Sequence, residues 1–273
     1  MIRRRARPAA TSRPRALRGW AAALGFFLSG AAQAFGPSGH RIAGIAAEPL
    51  LCPRAAAEVA SLSDGRGLAE IGPWADRIRS DDAWRHTAPW HYMNIGDDEP
   101  LEAYRHPPEG DVWWAVERHA ARLAEPGDAA ERAEALRFLV HFVVDLHQPL
   151  HVGRESDRGG NEIDVRYGGV RVSLHRFWDT DALRVAGLSE RELADSVAPV
   201  ARMLHVAGAD DPPSVWAAES LALRASVYAF RRPARGPALL DDAYLAAADT
   251  ITRVRLAQAA ARLAGTLNRL LGC

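Results

Sequence analysis

Apolar residues in this chain recur mainly three and four positions apart, the spacing that lines one face of a helix. Such stretches follow the glycine-rich start at residues 35–39 and occupy 53–63, 111–124, 128–146, 189–206, 213–230 and 239–271. Asp128 stands where a helix cap belongs, with acids in the turn after it. The last stretch is rich in alanine and leucine, with arginines spaced along what reads as a solvated face. Only residues 163–174 alternate strictly, about Gly168-Gly169, which predicts a β-hairpin. Residues 81–108 are rich in proline, histidine and acid and read as a long loop. There is no internal repeat, linker or domain break. The pattern predicts an all-α fold, a single mostly helical domain with one small β-hairpin, over residues 35–273.

Residues 1–34 stand apart from that pattern. They carry seven arginines and no acid, then an apolar run over residues 20–28 and an Ala32-Gln33-Ala34 cleavage pattern. About nine apolar residues fall far short of the roughly 20 that span a bilayer. The segment therefore reads as a signal peptide without a membrane anchor, and the protein as exported, periplasmic or secreted, with Phe35 as its first mature residue. The whole chain has 34 basic and 34 acidic residues. Without the seven leader arginines the balance is 27 against 34, or −7, and every basic residue is arginine. A protein so acidic does not work through a broad basic surface. Positive charge for handling phosphates must be local, and bound metal ions supply it. In an exported protein, Cys52 and Cys273 would form a disulfide tying the C-terminus to the first helical region; the spacing leaves that pairing open.

The chemistry concentrates in residues 139–153, LVHFVVDLHQPLHVG. On a helix, His141 and Asp145 share a face four residues apart. Pro149 ends that helix, and His151 follows on the loop. LHRFWDT repeats the spacing with His175 and Asp179. Upstream, His40, Asp76 and His91 each have an informative neighbour. These eight histidines and aspartates exceed what one tetrahedral zinc uses and imply two or three metals. His86, His106, His119, His147 and His205 have no partner at ligand spacing. His147 falls on a different helix face from His141 and reads as a residue behind the ligands or at the surface.

The order FGPSGH, WADRIR, WHY, HFVVDLHQPLH, RGGN, LHRFWD resembles the S1/P1 nuclease family of zinc-dependent single-strand nucleases. The resemblance runs from Phe35 to about Asp179 and implies a fold like phospholipase C and P1 nuclease. It implies three zinc ions: one held by Asp76, His91, His141 and Asp145, a second by His151, His175 and Asp179. The third would be held by the amine and carbonyl of Phe35, by His40, and by Asp145 as a bridge. The amine at Phe35 exists only after cleavage, which links the leader to the chemistry. Phe35 replaces the tryptophan of the fungal enzymes, a change in packing because the ligand atoms are backbone. Asn94 replaces an aspartate beside the bound base, which puts base preference in question.

The resemblance further implies hydrolysis of single-stranded DNA and RNA to 5′-phosphorylated products and removal of 3′-phosphates from nucleotides. Arg79, one turn beyond Asp76, would stabilise charge building on phosphorus; an arginine so placed otherwise pairs with a nearby acid. Tyr92 would stack on a base, and Asn161 would orient substrate phosphate or brace its turn. Trp74 and Trp178 read as core residues. No obligate protein partner is evident. Two other readings fit parts of the pattern. One is a zinc-dependent phospholipase C-like phosphodiesterase, against which the HFxxDxxQPLH match argues. The other is a non-catalytic exported zinc-binding protein, which would have no need of Arg79 or a bridging aspartate.

Overall fold

The computed structural model describes residues 35–208 and 211–273, so the expected signal segment, residues 1–34, lies outside the described residues. Helix α1 (Gly36–Ala47) has a proline in its first turn, where a missing N–H is harmless. It is followed by α2 (Pro53–Leu62) and two short helices, α3 (Leu68–Ile71) and α4 (Trp74–Ile78), with Gly72-Pro73 between them. The next two, α5 (Val112–Ala124) and α6 (Ala129–Leu146), each start at an aspartate that accepts from a first-turn amide: Asp111 from Trp114, Asp128 from Ala130. Such caps satisfy donors that the helix itself cannot. Every residue from Phe138 to Leu146 is buried. A helix apolar all round must be enclosed, and α6 is enclosed by α1, α2, α4 and α5 together with the C-terminal helices.

The second half begins with α7 (Leu174–Arg176), which widens into a π-helical turn at Phe177–Asp181. A reciprocal Ser189–Glu192 capping box then starts α8 (Glu190–Val206). The segment expected as one helix over 213–230 is broken at Leu223 into α9 (Pro213–Ala222) and α10 (Arg224–Val227). The break coincides with Arg224 turning inward, where it donates to the carbonyls of Ile95, Val152 and Gly153. Helix α11 (Asp242–Leu271) packs against α8, α1 and α6 and ends at Gly272 in the left-handed conformation.

Its arginines do not all lie on a solvated face. Arg255 and Arg262 are buried, and both donate to Glu219. Their length lets them reach across the core to an acid on α9, and pairing is what makes a buried charge tolerable. His147 is corrected by the same network. It is fully buried: its Nδ1 donates to the Val143 carbonyl, and its Nε2 accepts from Arg262.

Strand content exceeds the single hairpin expected. Within the presumed loop 81–108, a 3-10 turn (Arg85–His91) leads into β1 (Met93–Ile95), which pairs in parallel with β2 (Val152–Arg154). The hairpin forms as read: β3 (Asp164–Tyr167) and β4 (Val170–Ser173) meet at Gly168 and Gly169, whose φ values of 50° and 83° suit a two-residue turn. A two-residue strand, β5 (Ala238–Leu239), adds in parallel to β3. Strands of two or three residues are too short to show an alternation. Cys52 and Cys273 are disulfide-bonded, their Cα atoms 6.4 Å apart. Among the described residues no helix is long and apolar enough to cross a membrane.

Candidate metal centre

Seven of the eight expected side chains are almost wholly inaccessible, and Asp76 retains 8% exposure. Burying so many ionisable groups is costly unless each is paired or ligates a metal. They form two knots. In the first, Asp145 on α6 is the hub. Its Oδ1 stands 3.2 Å from His40 Nε2, and its Oδ2 stands 3.1 Å from both His91 Nδ1 and His141 Nε2. Asp76 closes this knot from α4, with Oδ1 3.8 Å from His91 Nδ1 and 4.0 Å from His141 Nε2. In the second, Asp179 lies 3.1 Å from His175 Nε2 and 3.6 Å from His151 Nε2. The π-helical turn carries Asp179 while preserving its contact with His175 one turn earlier.

Backbone carbonyls aim the imidazoles. His141 Nδ1–H donates to the Gly72 carbonyl and His175 Nδ1–H to the Gly159 carbonyl, both at 2.7 Å. Each bond assigns the proton to Nδ1 and turns the Nε2 lone pair toward an aspartate, the arrangement of metal-bound histidines. Gly159 adopts φ +62°, and a Cβ there would meet the Leu150 carbonyl at 2.6 Å, so glycine alone fits this turn. Gln148 is a residue that the sequence reading left without a role. Its Nε2 donates to Asp179 Oδ1 at 2.6 Å, and its Oε1 accepts the Leu150 amide. The only sequence signal was its place beside Pro149 in the conspicuous motif.

The electrostatics favour charged carboxylates, and neutral imidazoles at His40 and His91. Burial pushes the His91 imidazole down to about 4, and burial with the neighbouring His141 lowers His40. Burial would raise both aspartates, but the histidines around them outweigh it. His141, His40 and His91 hold Asp145 well below the usual carboxylate range, and His175 and His151 bring Asp179 to about 2. Ionised carboxylates and neutral imidazoles, as at His40 and His91, are what metal ligation requires. At His141 and His175 burial is outweighed by Asp145 and Asp179, which raise both imidazoles, so a metal binding there would displace a proton. Many of the facing atoms have no hydrogen-bond partner: both oxygens of Asp76, Asp145 Oδ1, Asp179 Oδ2, and the Nε2 atoms of His40, His151 and His175. Among the described residues, three sets offer converging ligand atoms within 4.8 Å of one another: His40, Asp76 and His141; His91, His141 and Asp145; His151, His175 and Asp179. Buried polar atoms orphaned in such sets fit divalent metal ions.

The remaining expected site residues fall as follows. Arg79 closes α4, its Nη1 3.6 Å from Asp76 Oδ1. Tyr92 follows His91 directly and is 43% exposed, open for contact. Asn94 lies on β1 opposite Gly153. Asn161 is exposed and donates to the Arg158 carbonyl, so it braces its own turn. Phe35 is fully buried, and its carbonyl accepts the Gly39 amide at 2.8 Å. Trp74 packs edge-on against Phe138, and Trp178 is buried with its Nε1 donating to Tyr244.

The sequence model of the family described as S1/P1 Nuclease matches residues 35–272. Endonuclease 2 of Arabidopsis thaliana is 30% identical over 272 residues, covering 87% of this chain and 91% of that protein. Endonuclease 4 of the same plant is 31% identical over 231 residues, 74% of this chain and 77% of that protein. Nuclease P1 of Penicillium citrinum is 33% identical over 155 residues, 54% of this chain and 57% of that protein.

Proposed function

This chain belongs to the S1/P1 nuclease family, and on that footing we propose that it is an exported zinc enzyme cleaving single-stranded DNA and RNA. Its products would carry 5′-phosphates, and it would also remove 3′-phosphates from nucleotides. The observation that carries this reading is the convergence of eight buried histidines and aspartates, many of whose facing atoms lack hydrogen-bond partners. Asp76, His91, His141 and Asp145 would hold one zinc, and His151, His175 and Asp179 a second. His40, the backbone amine and carbonyl of Phe35, and Asp145 as a bridge would hold a third.

When bound, zinc supplies Lewis acidity toward phosphate and activates water near neutral pH. The residues of the chain do the rest. Arg79 stands 3.6 Å from the Asp76 carboxylate, loosely enough to turn a guanidinium N–H onto a phosphate oxygen as charge accumulates there. Tyr92 presents a partly exposed ring beside His91, a surface on which an unpaired base stacks. A base in a duplex must first leave its stack, which accounts for the preference for single strands. Leader removal would expose the Phe35 amine, so the protein would gain its full ligand set only on export.

Native mass spectrometry of the chain starting at Phe35, together with cleavage of single-stranded and duplex DNA, tests this reading. Three zincs and faster single-strand cleavage are expected. One zinc or none would overturn the ligand assignment, and three zincs without nuclease activity would overturn the substrate.

A further inference from the structure

Outside the ligand set itself, one concave surface is walled by arginine. It lies beside α4, the short helix that carries Asp76, and encloses about 360 Å³. Arg66, Arg77 and Arg137 line it with Trp74. Among the described residues no carboxylate lies within 4.0 Å of any of these three guanidinium groups. A fourth lining arginine, Arg41, is bound to Glu190, and Glu70 is the acid in the wall. Trp74 is fixed edge-on against Trp84 and Phe138, and the Arg137 guanidinium carbon lies 5.5 Å from its ring centroid. A guanidinium held over an indole is itself a platform for a flat base. The larger cavity along α5 and α6 contrasts with this one: four glutamates face it, and its Arg122 is paired with Glu125 and Glu131.

We propose that the cleft beside α4 is a second binding site for single-stranded nucleic acid. Arg66 and Arg77 would contact phosphates, and a base would stack on the Arg137–Trp74 pair. The choice of nucleic acid over other polyanions rests on the nuclease reading. The cleft concentrates unpaired positive charge in a chain with seven more acids than bases beyond residue 34, so a strand is attracted here while the acidic surface elsewhere repels it. Binding here would lengthen the track of a long strand without touching the reacting phosphate.

The test is the salt dependence of kcat/KM on a long oligothymidylate for the zinc-loaded protein and for Arg66→Gln/Arg77→Gln. Each lost single-strand phosphate contact flattens the plot of log affinity against log salt by about 0.7. The variant should therefore give a slope shallower by about 1.4, with its zinc count and 3′-nucleotide hydrolysis unchanged. The Lys/Lys variant should restore the slope. An unchanged slope in the Gln/Gln variant overturns the proposal, as does a parallel loss of 3′-nucleotide hydrolysis. If the strand is not cleaved at all, the anisotropy of a labelled oligothymidylate reads the same slope directly. Failure of the cleft and failure of the nuclease reading are thus separable.

Discussion

Gln148 Nε2 donates to Asp179 Oδ1 at 2.6 Å while Gln148 Oε1 accepts the Leu150 amide at 2.5 Å. One side chain thus fixes Asp179 and the turn that delivers His151, two of the three residues in the second knot. Removing a partner behind a metal ligand typically costs 10–100-fold in metal affinity. Gln148→Ala is expected to weaken zinc at His151, His175 and Asp179 by about that factor and to leave the Asp145 knot loaded. Gln148→Glu should do the same by placing a second carboxylate against Asp179. Zinc titration followed by native mass spectrometry checks this, and wild-type affinity in both variants would refute it.

Asp145 is shared by three histidines from α1, α6 and the Arg85–His91 turn. Asp145→Asn keeps the shape and removes the charge that would hold two ions together. It should abolish hydrolysis and lower the bound zinc by more than one equivalent. A variant with wild-type turnover would sink the bridging role.

The ligand role proposed for the Phe35 amine gives the next expectation. A chain carrying one extra residue ahead of Phe35 loses the free amine at that position and should bind one zinc fewer than a chain starting at Phe35. An equal count in the two proteins would remove Phe35 from the ligand set.

His119 is buried against Phe138 and Trp90 with its Nε2 unpartnered, and burial, aided by Arg118, pushes it down to about 3. In the unfolded chain its value is near 6.5. The unfolded state therefore takes up a proton that the folded state refuses, so this residue destabilises the fold as pH falls from about 6.5 towards 3. The slope is about 1.4 kcal/mol per pH unit for one proton. His119→Leu should show that much less acid sensitivity in urea titrations between pH 6 and 4.5. Equal slopes for variant and wild type would contradict the assignment.

The Cys52–Cys273 disulfide ties α2 to the end of α11 across 221 residues. Closing so long a loop restricts the unfolded chain, and its loss should cost about 2–5 kcal/mol. Cys52→Ser/Cys273→Ser should melt earlier while keeping its zinc count. An unchanged melting temperature would show that the bond contributes nothing.

The helices and hairpin were legible because their signals are local: the Asp128 cap, the 3.6-residue period, and Gly168-Gly169. The clustered histidines and aspartates were legible because the i, i+4 pairs His141/Asp145 and His175/Asp179 announce themselves on a helix. What the sequence hid depends on distant partners. Arg255 and Arg262 look like solvated surface until Glu219 is brought to them from α9. The pairing of β1 with β2 joins segments nearly sixty residues apart, and neither strand is long enough to declare itself. The Gly72 and Gly159 carbonyls aim His141 and His175 through backbone atoms that every residue possesses.

The central claim is that these buried histidines and aspartates run a metal-dependent nuclease. Its most direct test is the cleavage rate of single-stranded DNA by the chain starting at Phe35, before chelation, after exhaustive chelation, and after zinc is restored. Activity should vanish with the metal and return with about three zinc equivalents. Cleavage that persists undiminished in the metal-free protein would contradict the account.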